Sequence, residues 1–559
     1  MSSERPSSDS VIVRLVNAIL LAALRRAADA VAIRRDADGL VVQIFADGTV
    51  QEEMRPNPSL HDAMLRRIAR MAGVPWLRAQ RGARGFIQLR VEGGRRVFLG
   101  VELSGRGDDA SAMLHPLTRD DLLTFCERAV AQAERMHDDG DRLGCELQLV
   151  GSCWWQRGQA TLARSWYERA LVAKQRGDSR GRIDWESVGE SLQLIGRCMQ
   201  HEGRLSDAMA WYERAATAKE RGDVAGRIDH DSVSISLHAV GGCFWEQGRY
   251  ARAQSWFERA VVAAERGDSE RQVDHASLNL SLSSVGDCLS RLQRYREAQA
   301  WYERAVREAE QPDHEGHRDR HAIGCSMDAL AECLLNQREL VQAQFWYEAA
   351  AAIKGHDECL DHESLGGSLH LVGVCLSDRH EYVAAQQWFE RAIAAKEYGD
   401  RAGRVDHDSV AYSSYALGYC LWQLNDFARA EPWFVQAATR AARGDAYGRV
   451  NHRHIGNSQH RVGACVSRQG ELASALTWFE RAIAAKERGD LDGQIDHASL
   501  SSSLYAAGEC SMKCDRVEDA RAYFARAQLA DRHVTDAAIS GSSHDDEMPD
   551  DAGRRSEPS

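Results

Sequence analysis

Apolar and small residues recur at helical spacing in the central segment 234–268. The first set follows an i, i+3, i+4, i+7 pattern at Leu237, Val240, Gly241 and Phe244. The second set has related spacing and consists of Ala253, Trp256, Phe257, Ala260 and Val261. The turn sequence EQGRY separates the two sets. Because small residues allow two helices to approach closely, the pattern predicts a pair of short amphipathic helices packed as a hairpin.

The same pattern returns along the chain with a fixed period. Each copy carries an aromatic residue in its second helix, and successive copies are 45 residues apart except for one step of 42. These aromatic residues are Trp166, Trp211, Trp256, Trp301, Trp346, Trp388, Trp433, Trp478 and Tyr523. A chain of 559 residues is too long for one compact core, and such a period is typical of repeat arrays. We therefore predict nine helical hairpins between residues 141 and 530.

The order of residues within one copy resembles the tetratricopeptide repeat. The matching positions are Val240, Gly241, Cys243, Phe244, Gly248, Ala253, Phe257 and Ala260. The resemblance implies a mainly α fold, a right-handed α-solenoid whose first helices line a concave groove for peptides or proteins. The long period and the connection RGD..GR.DH.S resemble the extended repeats of kinesin light chains, although the proline of their DHP sequence is missing here.

The resemblance also indicates which positions face the groove, counted from the cysteine in each first helix. In the seventh repeat these positions hold Tyr412, Tyr415, Tyr419, Trp422 and Gln423. Other repeats contribute His370, Asp378, His460, Arg468, Arg197, Asp287, Arg291 and Glu332. An aromatic stripe is more often core packing, but Ala416 and Leu417 already occupy packing positions in this helix. We therefore predict an exposed anchor for an extended peptide or a partner helix.

The connection KERGDVAGRIDHDS allows three interpretations, namely an adhesion tripeptide, an Asp/His metal site and a loop between helices. Gly222 follows the last turn of a helix, where glycine adopts positive φ at no steric cost. Asp229 precedes the next helix, with Ser232 three residues later, which is typical of an N-cap. We therefore expect a helix end, a loop and a helix start.

Histidine and cysteine recur once per repeat. A metal site needs three or four ligands at one point, and one His per repeat, such as His230, does not supply them, so we expect these histidines to pack structurally. Nine of the 14 cysteines keep the repeat spacing. Equivalent sites of neighbouring hairpins lie too far apart for disulfides, so we interpret these cysteines as small buried residues, with a metal or redox ladder as the alternative.

Residues 11–107 follow a different pattern and predict a small α/β domain. We expect helices over 11–26 and 59–71 and strands near 31–33, 40–45, 85–91 and 96–103. The segments GLVVQIFADGTVQEEM and RIARMAGVPW resemble the domain that precedes the motor core in type II secretion and type IV pilus assembly ATPases. The histidine of that family is absent at Val31, and no P-loop motif occurs in the sequence. We therefore expect an interaction domain without a motor.

The chain has a net charge of -13, and its charged residues are distributed unevenly along the sequence. Residues 1–107 hold 17 Arg and no Lys against 11 acidic residues. Arg66, Arg67, Arg70 and Arg84, with Arg78 and Arg81, are either a solvated surface or a docking site for an acidic partner. The acidic remainder argues on electrostatic grounds against nucleic-acid binding by the array.

The remaining segments complete the predicted organisation. We expect a disordered N-terminus over 1–10, a linker and capping helix over 108–140, and an acidic disordered tail over 531–559. No apolar run reaches the roughly 18 residues of a membrane span, which favours a cytoplasmic protein.

These observations predict a non-catalytic scaffold or adaptor. The groove would bind a peptide or partner protein, and the N-terminal domain would dock a second component. No cofactor, metal or catalytic residue is predicted. Two alternatives stay open: a metal-dependent enzyme or metal-binding protein that employs the Asp-His loops, and a regulatory component of a secretion or pilus motor.

Overall fold

The computed structural model describes residues 8–72, 74, 83–90, 96–135, 140–312, 318–356 and 361–541. The chain divides into two compact units, Met1–Ala322 and Ile323–Ser559. Helices predominate among the described residues, and the strands belong to the N-terminal part of the first unit. The predicted fold class, a mainly α solenoid of helical hairpins after a small domain of helices and strands, is confirmed.

The N-terminal domain contains two helices and six strands. Its elements are α1 (Ser8–Arg25), β1 (Ala30–Asp36), β2 (Gly39–Ala46), β3 (Thr49–Met54), α2 (His61–Met71), β4 (Ala83–Arg90), β5 (Arg96–Ser104) and β6 (Ser111–Leu117). The strands form one antiparallel sheet in the order β3-β2-β1-β6-β5-β4. Alternate residues point to opposite faces, and Ile33 and Leu114 pack against Val16 of α1 and Leu65 of α2.

Two strands of this sheet were not predicted. β3 has the sequence TVQEEM and is exposed along most of its length, so it lacks the alternating apolar residues that identify a strand. β6 contains Pro116, and proline argues against an interior strand. β6 nevertheless pairs with both β1 and β5. The domain therefore extends to Leu117, beyond the boundary predicted at residue 107.

The second face of the sheet contacts the first helices of the array. α3 (Arg119–Arg135) and α4 (Gly140–Gln156) follow β6 in the chain. Phe98 of β5 packs in one cluster with Leu122 and Val130 of α3 and Leu147 of α4. The sheet and the first repeat thus share a hydrophobic core within the first unit.

Nine helical hairpins follow α3 among the described residues. The first unit contains α4 with α5 (Ala160–Lys174), α6 (Trp185–His201) with α7 (Leu205–Lys219), α8 (His230–Glu246) with α9 (Tyr250–Ala264), and α10 (His275–Arg291) with α11 (Tyr295–Ala309). The second unit begins at Ile323, inside α12 (Arg320–Asn336). It contains the rest of α12 with α13 (Leu340–Lys354), α14 (His362–Asp378) with α15 (Tyr382–Lys396), α16 (His407–Gln423) with α17 (Phe427–Ala441), α18 (His452–Arg468) with α19 (Leu472–Lys486), and α20 (His497–Lys513) with α21 (Val517–Gly541).

Helices occupy part of both terminal segments that were predicted to be disordered. α1 begins at Ser8, inside the predicted segment 1–10. α21 continues to Gly541, so the first part of the predicted tail 531–559 is helical. The rest of both segments lies outside the described residues.

A glycine of the first helix contacts an aromatic ring of the second helix in most hairpins. A methyl group at Gly241 would lie 2.6 Å from Cε1 of Phe257, so the two helices approach at a distance that glycine permits. Cys243 follows two residues later and is fully buried. All nine repeat cysteines are buried as reduced thiols.

The RGD connection between α7 and α8 is a hydrogen-bonded loop. Gly222 ends the preceding helix with a φ of 78°. Asp223 accepts hydrogen bonds from the backbone N of Arg227 at 3.0 Å and from its Nη2 at 2.6 Å. Asp229 accepts a hydrogen bond from the backbone N of Ser232 at 3.0 Å and is the N-cap of α8. The geometry is that of a helix end followed by a helix start.

Buried lysines connect successive hairpins. Five second helices end in a lysine that is at most 4 % exposed, namely Lys174, Lys219, Lys354, Lys396 and Lys486. The Nζ of Lys486 donates hydrogen bonds to the backbone O of Ser499 and to Oγ of Ser503, both at 2.8 Å, in the following first helix. Burial lowers the pKa of Lys486 to about 7. The hydrogen bonds offset part of the cost of burying this amine.

Candidate functional site

The aromatic stripe, defined as Tyr412, Tyr415, Tyr419 and Trp422, lies along α16. The helical spacing of these residues places them on one side of the helix. Tyr412 is 51 % exposed, and the other three are half-buried against the core of the second unit. Two of the rings pack edge-on against α17, with centroids 5.3 Å apart for Tyr415 and Phe434 and 4.8 Å apart for Trp422 and Phe427. The stripe therefore combines core packing with an accessible edge.

Arg461 of α18 connects the stripe to the next hairpin. Its Nε donates a hydrogen bond to Oη of Tyr415 at 3.1 Å. Its guanidinium carbon lies 5.8 Å from the ring centroid of Tyr419 and 5.7 Å from that of Trp422. These distances are those of cation–π interactions. Four side chains from two hairpins thus form one surface of aromatic rings around a positive charge.

Arg461 was not among the predicted groove residues, although the sequence carries a signal for it. It stands four residues before the repeat cysteine, a position that does not face the groove in the resembling family. In the other eight repeats this position holds an apolar residue or a small one: Leu149, Leu194, Ala239, Ser284, Ala329, Leu371, Ala416 and Ala506. Arg461 is the one arginine at this repeat position, which indicates a contact specific to its own repeat.

His454 of α18 extends the same surface at the other end of the stripe. Its ring centroid lies 4.0 Å from that of Tyr412. Its Nδ1 lies 2.7 Å from Oδ1 of Asp408, while its Nε2 has no hydrogen-bond partner among the described residues. The side chain is 5 % exposed. His454 therefore supports Tyr412 from beneath and is itself fixed by a carboxylate.

Two predicted groove residues, His370 and His460, are placed in the packing between first helices. The Nδ1 of His370 lies 3.1 Å from Oγ of Ser413, and the Nδ1 of His460 lies 3.1 Å from Oγ of Ser503. Burial lowers the pKa of each imidazole to about 3. Both rings are therefore neutral hydrogen-bonding groups in the folded protein. The structure therefore does not present His370 and His460 as exposed, charged side chains of a groove.

The other predicted groove residues differ in their surroundings. Gln423, Arg468, Asp378 and Glu332 are exposed in the second unit, and Asp378 forms an ion pair with Arg338 at 3.5 Å.

In the first unit, two predicted groove arginines stack on tryptophans. The guanidinium of Arg197 lies 4.6 Å from the Trp155 ring, and that of Arg291 lies 5.7 Å from the Trp245 ring. Asp287 accepts a hydrogen bond from Oη of Tyr302 at 2.7 Å, and burial raises its pKa. These contacts order the side chains along the first helices of the array.

The four arginines predicted for docking do not form one surface. Arg66 and Arg70 are exposed on α2, and Arg67 is half-buried there. Arg84 of β4 points to the opposite face of the sheet, because its neighbour Gly85 faces Ala72 and Val74, which directly follow α2.

Arg84 contacts acidic residues inside the first unit. It donates a hydrogen bond to Oε1 of Glu102 at 2.9 Å and lies 3.5 Å from Oε1 of Glu146 on α4. Arg84 thus connects the sheet to the first repeat. Arg78 and Arg81 lie outside the described residues.

The described residues do not bring together the ligands that the alternative of a metal site requires. Among the described residues, no group of three or more His, Cys, Asp and Glu side chains could hold a metal ion. His275, one of the repeated histidines, instead lies 2.8 Å from Oε2 of Glu308 through its Nδ1. Within the same residues, every helix is too short or too polar to cross a membrane.

Two segments match family models of the tetratricopeptide repeat, residues 281–315 and residues 411–443. These two segments of the chain are tetratricopeptide repeats. The second match covers most of α16 and all of α17, so the aromatic stripe lies on the first helix of a tetratricopeptide repeat.

Solved structures similar to this chain include several at low sequence identity. No curated protein matches the chain. Similar solved structures include the apo form of RapI (11 % identity, TM-score 0.44, 70 % of this chain and 99 % of that chain). BtubC from P. vanneervenii is also similar, at 19 % identity and a TM-score of 0.29, over 56 % of this chain and 99 % of that chain. A putative kinesin light chain from Podosopora anserina with nearly identical TPR-like repeats is similar at 18 % identity and a TM-score of 0.29, over 37 % of this chain and 92 % of that chain.

Proposed function

We propose that the chain is a non-catalytic scaffold whose aromatic stripe, together with Arg461, binds a peptide or a helix of a partner protein. The observation that carries this proposal is the packing of the Arg461 guanidinium against Tyr415, Tyr419 and Trp422. Tyrosine, tryptophan and arginine are the residues most enriched at positions of high binding energy. Side chains already held by packing also lose little conformational freedom when a partner binds.

The dimensions of the stripe suit a segment of regular structure. Tyr412 and Trp422 are ten residues apart on α16, which corresponds to roughly 15 Å along the helix axis. An extended peptide covers this distance with about four to five residues, and a partner helix covers it with about three turns. The expected partner is therefore a segment with apolar side chains along one side.

The test compares full-length protein with the double variant Tyr412→Ala/Arg461→Gln. These two changes avoid the rings that pack on α17. Tyr447→Ala is the matched control, because Tyr447 is 75 % exposed in the connection between α17 and α18, outside the stripe. Partners that copurify with the parent protein are identified, and their dissociation constants are then measured by calorimetry. Circular dichroism establishes that each variant is folded.

We expect the double variant to bind such partners roughly 30-fold more weakly, which corresponds to about 2 kcal/mol. The control should bind as the parent does. Equal affinities for all three proteins would contradict the proposal.

The proposal includes a second docking surface on the N-terminal domain. Arg66 and Arg70 are exposed on α2, and such a pair would attract an acidic partner. Binding should weaken as salt is added, because exposed charges are screened over about 8 Å at physiological ionic strength. Charge reversal with Arg66→Glu/Arg70→Glu should abolish it, and binding indifferent to both changes would exclude this surface. A regulatory link to a secretion or pilus motor stays a prediction.

A further inference from the structure

Two cysteines lie in contact at the junction between the sheet and the array. Cys126 is on α3 and Cys153 is on α4, and their Sγ atoms are 3.4 Å apart. Both side chains are buried, at 0 % and 1 % exposure. They belong to the cluster that contains Phe98, Leu122 and Leu147, so the surrounding packing holds both thiols in place.

We propose that Cys126 and Cys153 form a reversible disulfide site that responds to peroxide. A disulfide has an S–S length of about 2.05 Å, so the sulfur atoms must approach each other by roughly 1.4 Å. Small rotations about the Cα–Cβ bonds, with a slight shift of α3, supply this movement. Cys153 is the repeat cysteine of the first hairpin. Cys126 of α3, the helix before this hairpin, places a second thiol against it.

The reaction with hydrogen peroxide balances in two steps. The sulfur of one cysteine attacks a peroxide oxygen, the O–O bond breaks, and a sulfenic acid and one water form. The sulfur of the second cysteine then attacks the sulfenic sulfur, the S–S bond forms and the S–O bond breaks. The hydroxide that leaves takes the proton of the second thiol and becomes another water. Two thiols are oxidised by two electrons in total, and one peroxide is reduced to two waters.

The disulfide would change the mechanical link between the two parts of the first unit. α3 packs on β5 through Phe98 and Leu122, while α4 opens the first repeat. A bond between Cys126 and Cys153 would close the intervening chain into a covalent loop. α3, which packs on the sheet, would then be tied to α4 by a covalent bond as well as by apolar packing.

The test treats full-length protein with hydrogen peroxide, blocks remaining thiols with N-ethylmaleimide in denaturant, and maps peptides by mass spectrometry without reduction. A time course of hours is needed, because the hydrogen bond with Cys153 and burial raise the pKa of the Cys126 thiol. We expect a peptide pair linked through Cys126 and Cys153, two hydrogens lighter than the separate thiol peptides. Dithiothreitol should restore both thiols.

Two variants and a second measurement complete the design. Cys126→Ala should abolish the cross-link, and Cys198→Ala, which changes the equivalent cysteine of the second repeat, should retain it. Hydrogen exchange in α3 and α4 should slow on oxidation in the parent and in Cys198→Ala only. Recovery of both cysteines as thiols under conditions that oxidise the exposed Cys325 would overturn the proposal. So would a cross-link that forms only after the protein is unfolded in urea.

Discussion

Gly241 and Gly242 are neighbours in α8 but differ in their surroundings. A methyl group at Gly241 would lie 2.6 Å from Cε1 and 2.7 Å from Cδ1 of Phe257, whereas one at Gly242 would have no described atom within 4 Å. Phe257 is itself 3 % exposed, so it has little space into which it can move. Substitution by alanine should therefore have opposite effects at the two positions.

The expected magnitudes follow from two contributions. Alanine is favoured over glycine in a helix interior by about 1 kcal/mol. Overpacking in a well-packed core costs about 1–3 kcal/mol, and the close approach to Phe257 indicates the upper part of that range. We expect Gly241→Ala to lower the free energy of unfolding of this hairpin by about 1–2 kcal/mol. Gly242→Ala should raise it by about 0.5–1 kcal/mol.

Hydrogen exchange measured by mass spectrometry on the full-length protein is the appropriate assay, because repeat arrays need not unfold in one step. In peptides from α8 and α9, exchange should become about 5- to 30-fold faster in Gly241→Ala and about 2- to 5-fold slower in Gly242→Ala. Peptides from α2 serve as the internal control and should not change. Shifts of the same sign in both variants would refute the idea that the contact with Phe257 limits how closely the two helices can pack.

Three further substitutions test other contacts. His460→Gln should reduce the stability that the second unit loses as pH falls below 6.5, measured relative to each protein's own stability at pH 7.5. Burial lowers the pKa of His460 to about 3 in the folded protein. As pH falls below 6.5, the imidazole therefore binds a proton in the unfolded chain before it does so in the folded one, which lowers the free energy of unfolding. Glutamine has no proton to bind and removes this loss of stability. Asp229→Ala should cost about 1 kcal/mol, measured by exchange at the start of α8, since the bond to Ser232 N is lost. Arg227→Gln should change stability by less than about 0.5 kcal/mol in thermal unfolding, because its ion pair with Asp223 is partly open to solvent and joins residues four apart in one loop.

The helical array could be predicted from the sequence because its signals are local. The spacing of Leu237, Val240, Gly241 and Phe244 reports one face of one helix, and repetition supports the interpretation many times along the chain. The turn glycine and the N-cap at Asp229 act on neighbouring backbone groups. Each of these features depends on contacts within one repeat, so a single sequence suffices to find them.

The features that were missed depend on contacts between elements distant in the chain. Pairing with two neighbouring strands makes β6 an interior strand despite Pro116, and no local pattern reports this pairing. Arg84 was grouped with Arg66 and Arg70 by charge, yet strand alternation places it on the other face of the sheet. The stripe itself was found, but whether its rings were core or surface depended on how α17 and α18 pack against it.

The position of β6 in the sheet has a consequence for the order in which the chain becomes structured during synthesis. β6 is the last strand to be made, yet it lies between β1 and β5 and joins the strands β1 to β3 to the pair β4 and β5. Until residue 117 has left the ribosome, these two groups of strands can form antiparallel ladders only separately. Their inner edges, at β1 and β5, then present unpaired backbone groups that can pair with other chains. The nascent protein is therefore most exposed to misassembly just before β6 emerges, and a ribosomal pause after that point would favour correct closure of the sheet.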